Sequence, residues 1–250
     1  VSRIATDIAR MLDPCALAEA VGATPDDWQR EVFRSEARRT LLCCGRQTGK
    51  SFVASILAVH TAVYVPGSLV LLLSPSLRQS QELFRKVTSV YRALGRPVDA
   101  TAENALSLTL ESGSRIVSLP GTEQTIRSFS SVDLLVIDES ARVPNDLYHA
   151  VTPFLAVGNG RLIAASTPAG MRGWWSDAWH DDSAPWQRVR VETADCPRIS
   201  AEFLASELAS MGSLFYAQEY CCDFLSSESA AFESAWLESL INEELEAWNL

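Results

Sequence analysis

The densest chemistry in the sequence lies in one run, Leu41-Leu42-Cys43-Cys44-Gly45-Arg46-Gln47-Thr48-Gly49-Lys50-Ser51. It reads as an apolar strand, a tight polar turn and a helix start. Successive backbone N–H groups at a helix N-terminus form an anion nest, and the helix dipole adds to it. Gly49 lets the backbone approach phosphates, Lys50 is a point charge for β- and γ-phosphates, and Ser51 offers a hydroxyl to Mg²⁺. The usual pattern, G-x-x-x-x-G-K-[ST], would put its first Gly at Cys44; Gly45 stands one place late. A second site is Asp138-Glu139, directly after Leu134-Leu135-Val136-Ile137. Carboxylates at the C-terminal end of a buried strand lie where open α/β sheets bind ligands. Asp138 suits Mg²⁺, and Glu139 suits polarising an attacking water. A Glu after the Asp argues for a hydrolase of the additional-strand P-loop class rather than a small-molecule kinase. A third strand end, Ala164-Ala165-Ser166-Thr167-Pro168, brings two hydroxyls to the same edge.

These residues need a parallel sheet to bring them together, and the pattern supplies one. Residues 40–44, 69–73, 134–137 and 161–166 are apolar runs of strand length, as expected for strands buried on both faces. Residues 186–191 alternate, as an edge strand does. Residues 106–110 and 115–119 form a hairpin around Ser112-Gly113. Between the runs lie helical segments at 50–64 and 76–94, so the fold class is α/β with a mostly parallel central sheet flanked by helices. Upstream, 3–21 reads as helical, with Ile4, Ile8, Met11 and Leu12 at helical spacing before Pro14, and Asp26 and Asp27 cap a short helix through residue 38. From residue 196 the pattern is helical to about 220. The expected organisation is a core over 1–195, a helical lid subdomain over 196–225, and an acidic linker or tail over 226–250.

Composition limits the partners. The 250 residues carry 21 Lys+Arg against 31 Asp+Glu, a net charge of −10. Such a surface excludes a uniformly basic nucleic-acid coat, though not a local basic patch. The charge is uneven: +4 over 1–100, −4 over 101–200 and −10 over 201–250. An anionic partner therefore meets the first hundred residues. The six Cys form no C-x-x-C pair and the three His are isolated, which argues against zinc and for reduced thiols in a cytoplasm. No apolar run reaches the 18 residues that a membrane span needs.

Together the motifs resemble the ATPase domain of large terminase subunits, the DNA-packaging motors of tailed bacteriophages. The likeness runs from about Asp26 to Phe232. It rests on Asp27-Trp28-Gln29, the loop Gly45 to Ser51, Ser74-Pro75-Ser76, Thr125-Ile126-Arg127-Ser128-Phe129-Ser130, Asp138-Glu139, Ser166-Thr167-Pro168-Ala169-Gly170, and Gln218-Glu219-Tyr220 to Phe224. The loop Arg-Gln is its most specific point, and the family's loop often lacks the first Gly. The resemblance implies a RecA-like P-loop ATPase of the additional-strand, catalytic-Glu class. Its cofactors are ATP and Mg²⁺. Gly45, Arg46, Gln47, Thr48, Gly49, Lys50 and Ser51 bind the nucleotide, with Arg46 reaching the γ-phosphate in cis. Ser51 and Asp138 hold Mg²⁺, Glu139 is the catalytic carboxylate, and Ser166 and Thr167 match the coupling motif. Gln29 corresponds to the adenine-reading Gln, and Arg127 to a finger delivered to a neighbouring subunit's ATP.

The implied protein translocates double-stranded viral DNA into a procapsid. It works as a ring on the portal in the infected host cytoplasm, with the portal protein and the small terminase subunit as partners. The expected nuclease domain has no counterpart before Leu250, so an excised ATPase domain or a truncated gene is expected, without DNA cleavage. Two other readings stay open: a helicase-like or remodelling ATPase, which needs a second RecA-like lobe, and a nucleotide-binding switch with little turnover. Trp174, Trp175, Trp179 and Trp186 are expected in the core. Arg78, Arg85, Lys86 and Arg92 are expected on a solvated helix face, with a DNA track as the alternative.

Overall fold

A computed structural model describes residues 3–121 and 129–225. The helices are α1 (Arg3–Leu12), α2 (Pro14–Ala20), α3 (Asp27–Arg34), α4 (Lys50–Tyr64), α5 (Leu77–Ala93), α6 (Asn145–Val151), α7 (Phe154–Gly158), α8 (Gly173–His180), α9 (Ala201–Met211) and α10 (Ser213–Tyr220). The strands are β1 (Arg39–Cys44), β2 (Leu69–Ser74), β3 (Ala100–Glu103), β4 (Ser107–Leu110), β5 (Arg115–Pro120), β6 (Leu134–Asp138), β7 (Arg161–Ser166) and β8 (Gln187–Val191). They form one sheet in the order β3-β4-β5-β2-β6-β7-β1-β8. Every pairing from β5 to β8 is parallel, and β3–β4 and β4–β5 are antiparallel.

The apolar strand runs are buried as their composition requires: β2 is buried along its whole length, and β6 up to its final Asp. Side chains alternate between two faces. On one face Leu42, Cys44, Val70, Leu72, Val136, Ile163 and Ala165 pack under α4 and α5. On the other, Leu41, Cys43, Leu71, Leu135, Ile137, Leu162 and Ala164 pack with Trp174 and Trp175, both buried. Trp179 and Trp186 pack against that second core, so all four Trp belong to it.

The helical stretch expected over 3–21 is divided into α1 and α2 at Asp13. Pro14 lacks an N–H and restricts the residue before it, so Asp13 turns extended and caps α2 by accepting from Cys15 N at 2.9 Å. The helix expected to reach residue 38 ends at Arg34, because β1 begins at Arg39. Strand β3 was not expected; it is short, largely exposed and has no alternation to reveal it. The segment after residue 196 is helical in two pieces, split at Gly212, whose φ of +80° suits glycine. The tail over 226–250 lies outside the described residues, as does Arg127.

Candidate functional site

Parallel pairing aligns the C-terminal ends of β1, β2, β6 and β7. Asp138 pairs in register with Ala165, and Cys43 with Ser166. Asp138 therefore faces α4 and α5, the side on which the 45–51 loop opens. A cleft of about 1150 Å³ runs along this edge, lined by the loop, Glu139, Arg142, Thr167, α5, and Phe203, Glu207, Glu219 and Tyr220.

The loop is held from several directions. Gly45 N donates to Val191 O at 2.8 Å and Arg46 N to Glu219 O at 2.9 Å. A Cβ on Gly45 would press on the Thr193 hydroxyl and stand 2.8 Å from Tyr220 O, so only glycine fits where β1 leaves the sheet. Gly49, at φ +106°, is the N-cap of α4 and a second position that favours glycine. Lys50 Nζ donates to Cys44 O at 2.7 Å and Gly45 O at 3.0 Å, which keeps the ammonium folded over the loop. Cys44 is a fully buried residue whose thiol burial pushes up to about 12.

Glu139 adopts φ 52°, ψ 42°, a left-handed conformation that a non-glycine residue holds only when its surroundings enforce it. It opens a 3-10 turn, Ser140–Arg142, pinned by Ser140 Oγ donating to Ile137 O at 2.7 Å and Ala165 O at 3.1 Å. Arg142 Nη1 then donates to Glu139 Oε2 at 2.6 Å, and its Nη2 to Glu219 Oε1 at 2.8 Å. Arg46 Nε donates to the other Glu219 oxygen at 2.9 Å, and Thr167 Oγ1 to that same oxygen at 3.2 Å. A chain of alternating charge thus links the loop, the acidic turn, the end of β7 and α10. Burial raises the Asp138 carboxyl to about 6, with Glu139 repulsion adding to it and Lys50 and Lys86 opposing.

Of the residues singled out in the sequence, Arg46, Gln47, Gly49, Lys50, Ser51, Glu139 and Thr167 line the cleft together. Gly45, Thr48 and Asp138 are not among its lining residues, and neither are Ser166 and Gln29. Ser166 is fully buried, and its register with Cys43 turns it to the opposite face of the sheet, so strand alternation sends Thr167 to the cleft in its place. Gln29 is 2% exposed; its Oε1 accepts from Asp26 N at 3.0 Å and its Nε2 reaches Thr48 O at 3.5 Å. Its Oε1 thus serves the α3 cap, and its Nε2 lies against the loop, where it would stand 2.6 Å from a Cβ on Gly49. At the cleft wall Arg85 pairs with Glu82, and away from it Arg92 pairs with Glu103, so the basic side of α5 is partly neutralised.

Three residues in this network were not assigned a role from sequence. Arg142 follows Glu139 by three positions, a local signal that was available. Glu219 meets Arg46 across 173 residues, a pairing no spacing reveals. Arg198 makes a two-pronged ion pair with Asp26, both contacts at 2.7 Å, and ties the segment before α9 to the cap of α3.

A Mg²⁺ ion fits the donors present. Asp138 is an ionisable carboxyl at a strand end whose charge burial disfavours, so a nearby cation relieves it. Ser74, at the end of the adjoining β2, is buried with an unpartnered hydroxyl, and Ser51 opens α4 beside the loop. No cluster of three metal-ligating side chains occurs among the described residues.

A glycine loop at a helix N-terminus, a lysine folded over it, and an Asp-Glu turn at the same edge of a parallel sheet define the P-loop class of fold. Residues 41–239 match the family model "Terminase large subunit, T4likevirus-type, N-terminal", and the chain belongs to that family. The large terminase subunit of Thermus virus P23-45 is 29% identical over 172 residues, 61% of this chain and 36% of that protein. A probable large terminase subunit of Enterobacteria phage P7 is 23% identical over 213 residues, 76% of this chain and 43% of that one. The chain thus spans less than half the length of these relatives. In fold it is similar to the large terminase ATPase domain of Thermus phage P74-26, with a TM-score of 0.72 at 22% identity over 83% of this chain and 97% of that domain.

Proposed function

We propose that this chain is the ATP-hydrolysing motor domain of a large terminase, and that it drives double-stranded viral DNA into a procapsid. The observation that carries the reading is the meeting, in one cleft, of Lys50 and Ser51 from the start of α4 with Glu139 from the turn after β6. Strand β7 stands between β1 and β6, an extra strand between the phosphate loop and the acidic pair, which supports the additional-strand, catalytic-Glu class.

In this reading the loop N–H groups and Lys50 take the β- and γ-phosphates, and Arg46 approaches the γ-phosphate with its planar donors. Ser51 and Asp138 hold Mg²⁺, which neutralises developing phosphate charge and orients the triphosphate. Glu139 accepts the proton of the attacking water, and its fixed backbone sets the carboxylate's direction. Thr167, which lines the cleft, is proposed to sense the terminal phosphate. Gln29 braces Gly49 from below rather than reading a base. Arg127 is proposed as the finger that a neighbouring subunit's ATP receives, which makes ring assembly on the portal a condition of full turnover. The portal protein and the small subunit remain the proposed partners, and the host cytoplasm the proposed location. Among the described residues no helix is long and apolar enough to cross a membrane. The proposed division of labour is a core over 1–195, a helical lid over 196–225 and a linker beyond.

ATP hydrolysis measured against protein concentration, for the wild type beside Glu139→Gln, tests the reading. A rate per subunit that rises with concentration and falls at least about a hundredfold in the variant is expected. A low rate equal in both proteins would reduce the chain to a nucleotide-binding module.

A further inference from the structure

Glu219 has no part in the hydrolysis described above, yet it occupies the centre of the charge chain. Its side chain is only 11% exposed. Donors from three separate segments converge on its carboxylate: Arg46 Nε at 2.9 Å, Arg142 Nη2 at 2.8 Å and Thr167 Oγ1 at 3.2 Å. Burial alone would raise this carboxyl. The Arg46 hydrogen bond and the Arg142 charge outweigh burial and hold it below the usual carboxylate range. Two guanidinium groups and a hydroxyl around one enclosed anion also match the equatorial oxygens of a phosphoryl group. All three donors line the cleft that holds Lys50 and Glu139. The same Arg142 gives its other nitrogen to Glu139 at 2.6 Å, so a change of partner at Arg142 reaches Glu139 directly.

We propose that Glu219 is a positioning residue that sets the preference for triphosphate over diphosphate, as an internal anion that competes with the terminal phosphate for Arg46, Arg142 and Thr167. This rests on the nucleotide reading of the cleft. A terminal phosphate takes these donors and Glu219 gives them up. Among the described residues, the other tie between Glu219 and the loop is its backbone carbonyl, which accepts from Arg46 N at 2.9 Å. The exchange therefore loosens α10 from the loop. A diphosphate does not reach the donors and leaves Glu219 in place. Glu219 thus narrows the affinity gap between the two nucleotides.

The test is the ratio of Kd for ADP to Kd for a non-hydrolysable ATP analogue, with Mg²⁺, measured by calorimetry on the full chain. Glu219→Gln should raise that ratio about tenfold, the worth of one charge-assisted hydrogen bond, with ADP affinity unchanged. Glu219→Asp keeps the charge with a shorter reach and should move the ratio less, in the same direction. Glu82→Gln removes a carboxylate from the cleft wall away from these donors and should leave the ratio as it is. Retained ADP binding in Glu219→Gln serves as the control for folding. An unchanged or smaller ratio in Glu219→Gln, loss of ADP binding there, or an equal rise in Glu82→Gln overturns the inference. Wild-type protein that binds neither nucleotide overturns the nucleotide reading itself. Normal binding with an unmoved ratio overturns this inference alone.

Discussion

Asp138→Asn separates what the buried carboxylate costs the fold from what it does for the site. Burial raises this carboxyl from 3.8 to about 6, with Glu139 as the second cause. An acid whose folded pKa lies above its unfolded value binds a proton more readily in the folded state. Its relative stabilisation is complete below about 3.8 and is lost as pH rises through about 6. At pH 8 the penalty is about 2 pKa units, or about 3 kcal/mol at 1.36 kcal/mol per unit. Asn carries no charge and still offers an oxygen to Glu139 N, which donates to Asp138 Oδ1 at 3.2 Å. The variant should therefore unfold at a higher temperature at pH 8, by roughly 6–12 °C for a chain of this size. The advantage should fall to about half at pH 5, where the wild-type carboxyl is mostly protonated. Thermal unfolding followed by circular dichroism at pH 5 to 8, without nucleotide, reads this directly. In parallel, Mg²⁺ with ADP should raise the wild-type midpoint and leave that of the variant nearly unmoved. A variant less stable than wild type at pH 8, or an advantage independent of pH, would refute the assignment of Asp138 as a desolvated cation-binding carboxylate.

Gly45→Ala places a methyl group against the Thr193 hydroxyl and Tyr220 O, and should destabilise by about 1–3 kcal/mol, read as a lowered denaturant midpoint with unchanged slope. Arg127→Ala should leave nucleotide binding intact and abolish the part of ATP turnover that assembly stimulates; full concentration-dependent activity in the variant would remove Arg127 from the finger role. DNA binding by the isolated chain should be weak and steeply salt-dependent, given its net charge of −10, and tight binding that survives added salt would contradict the proposed separation of charge.

The parts of this fold legible in the sequence are those set by local periodicity and turn chemistry. Uninterrupted apolar runs marked β1, β2, β6 and β7, because strands buried on both faces have no polar side to show. The glycine-rich turn before Lys50 marked the phosphate loop, and Asp138-Glu139 marked the end of β6. Boundaries failed where a neighbour decides them. The helix expected through residue 38 stops at Arg34, and β1 begins at Arg39. The exposed β3 carried no signal, because its pairing with β4 rather than its composition makes it a strand.

By itself the sequence determined the α/β class, the strand that feeds the loop, the two carboxylates and the family likeness. These follow from residue type at short range, where chemistry and backbone preference act on the same few positions. Only the tertiary structure decided which side chains share the cleft. Register sent Thr167 inward and Ser166 to the far face, since successive side chains along a strand point to opposite faces. Folding buried Gln29 under Gly49 and brought Glu219 from near the end of the described chain onto Arg46 and Arg142. Contacts that join separate elements, up to the 173 positions between Arg46 and Glu219, leave no periodic trace in the chain. They form only once the sheet has set β1, β6 and β7 side by side and α10 has packed over their ends.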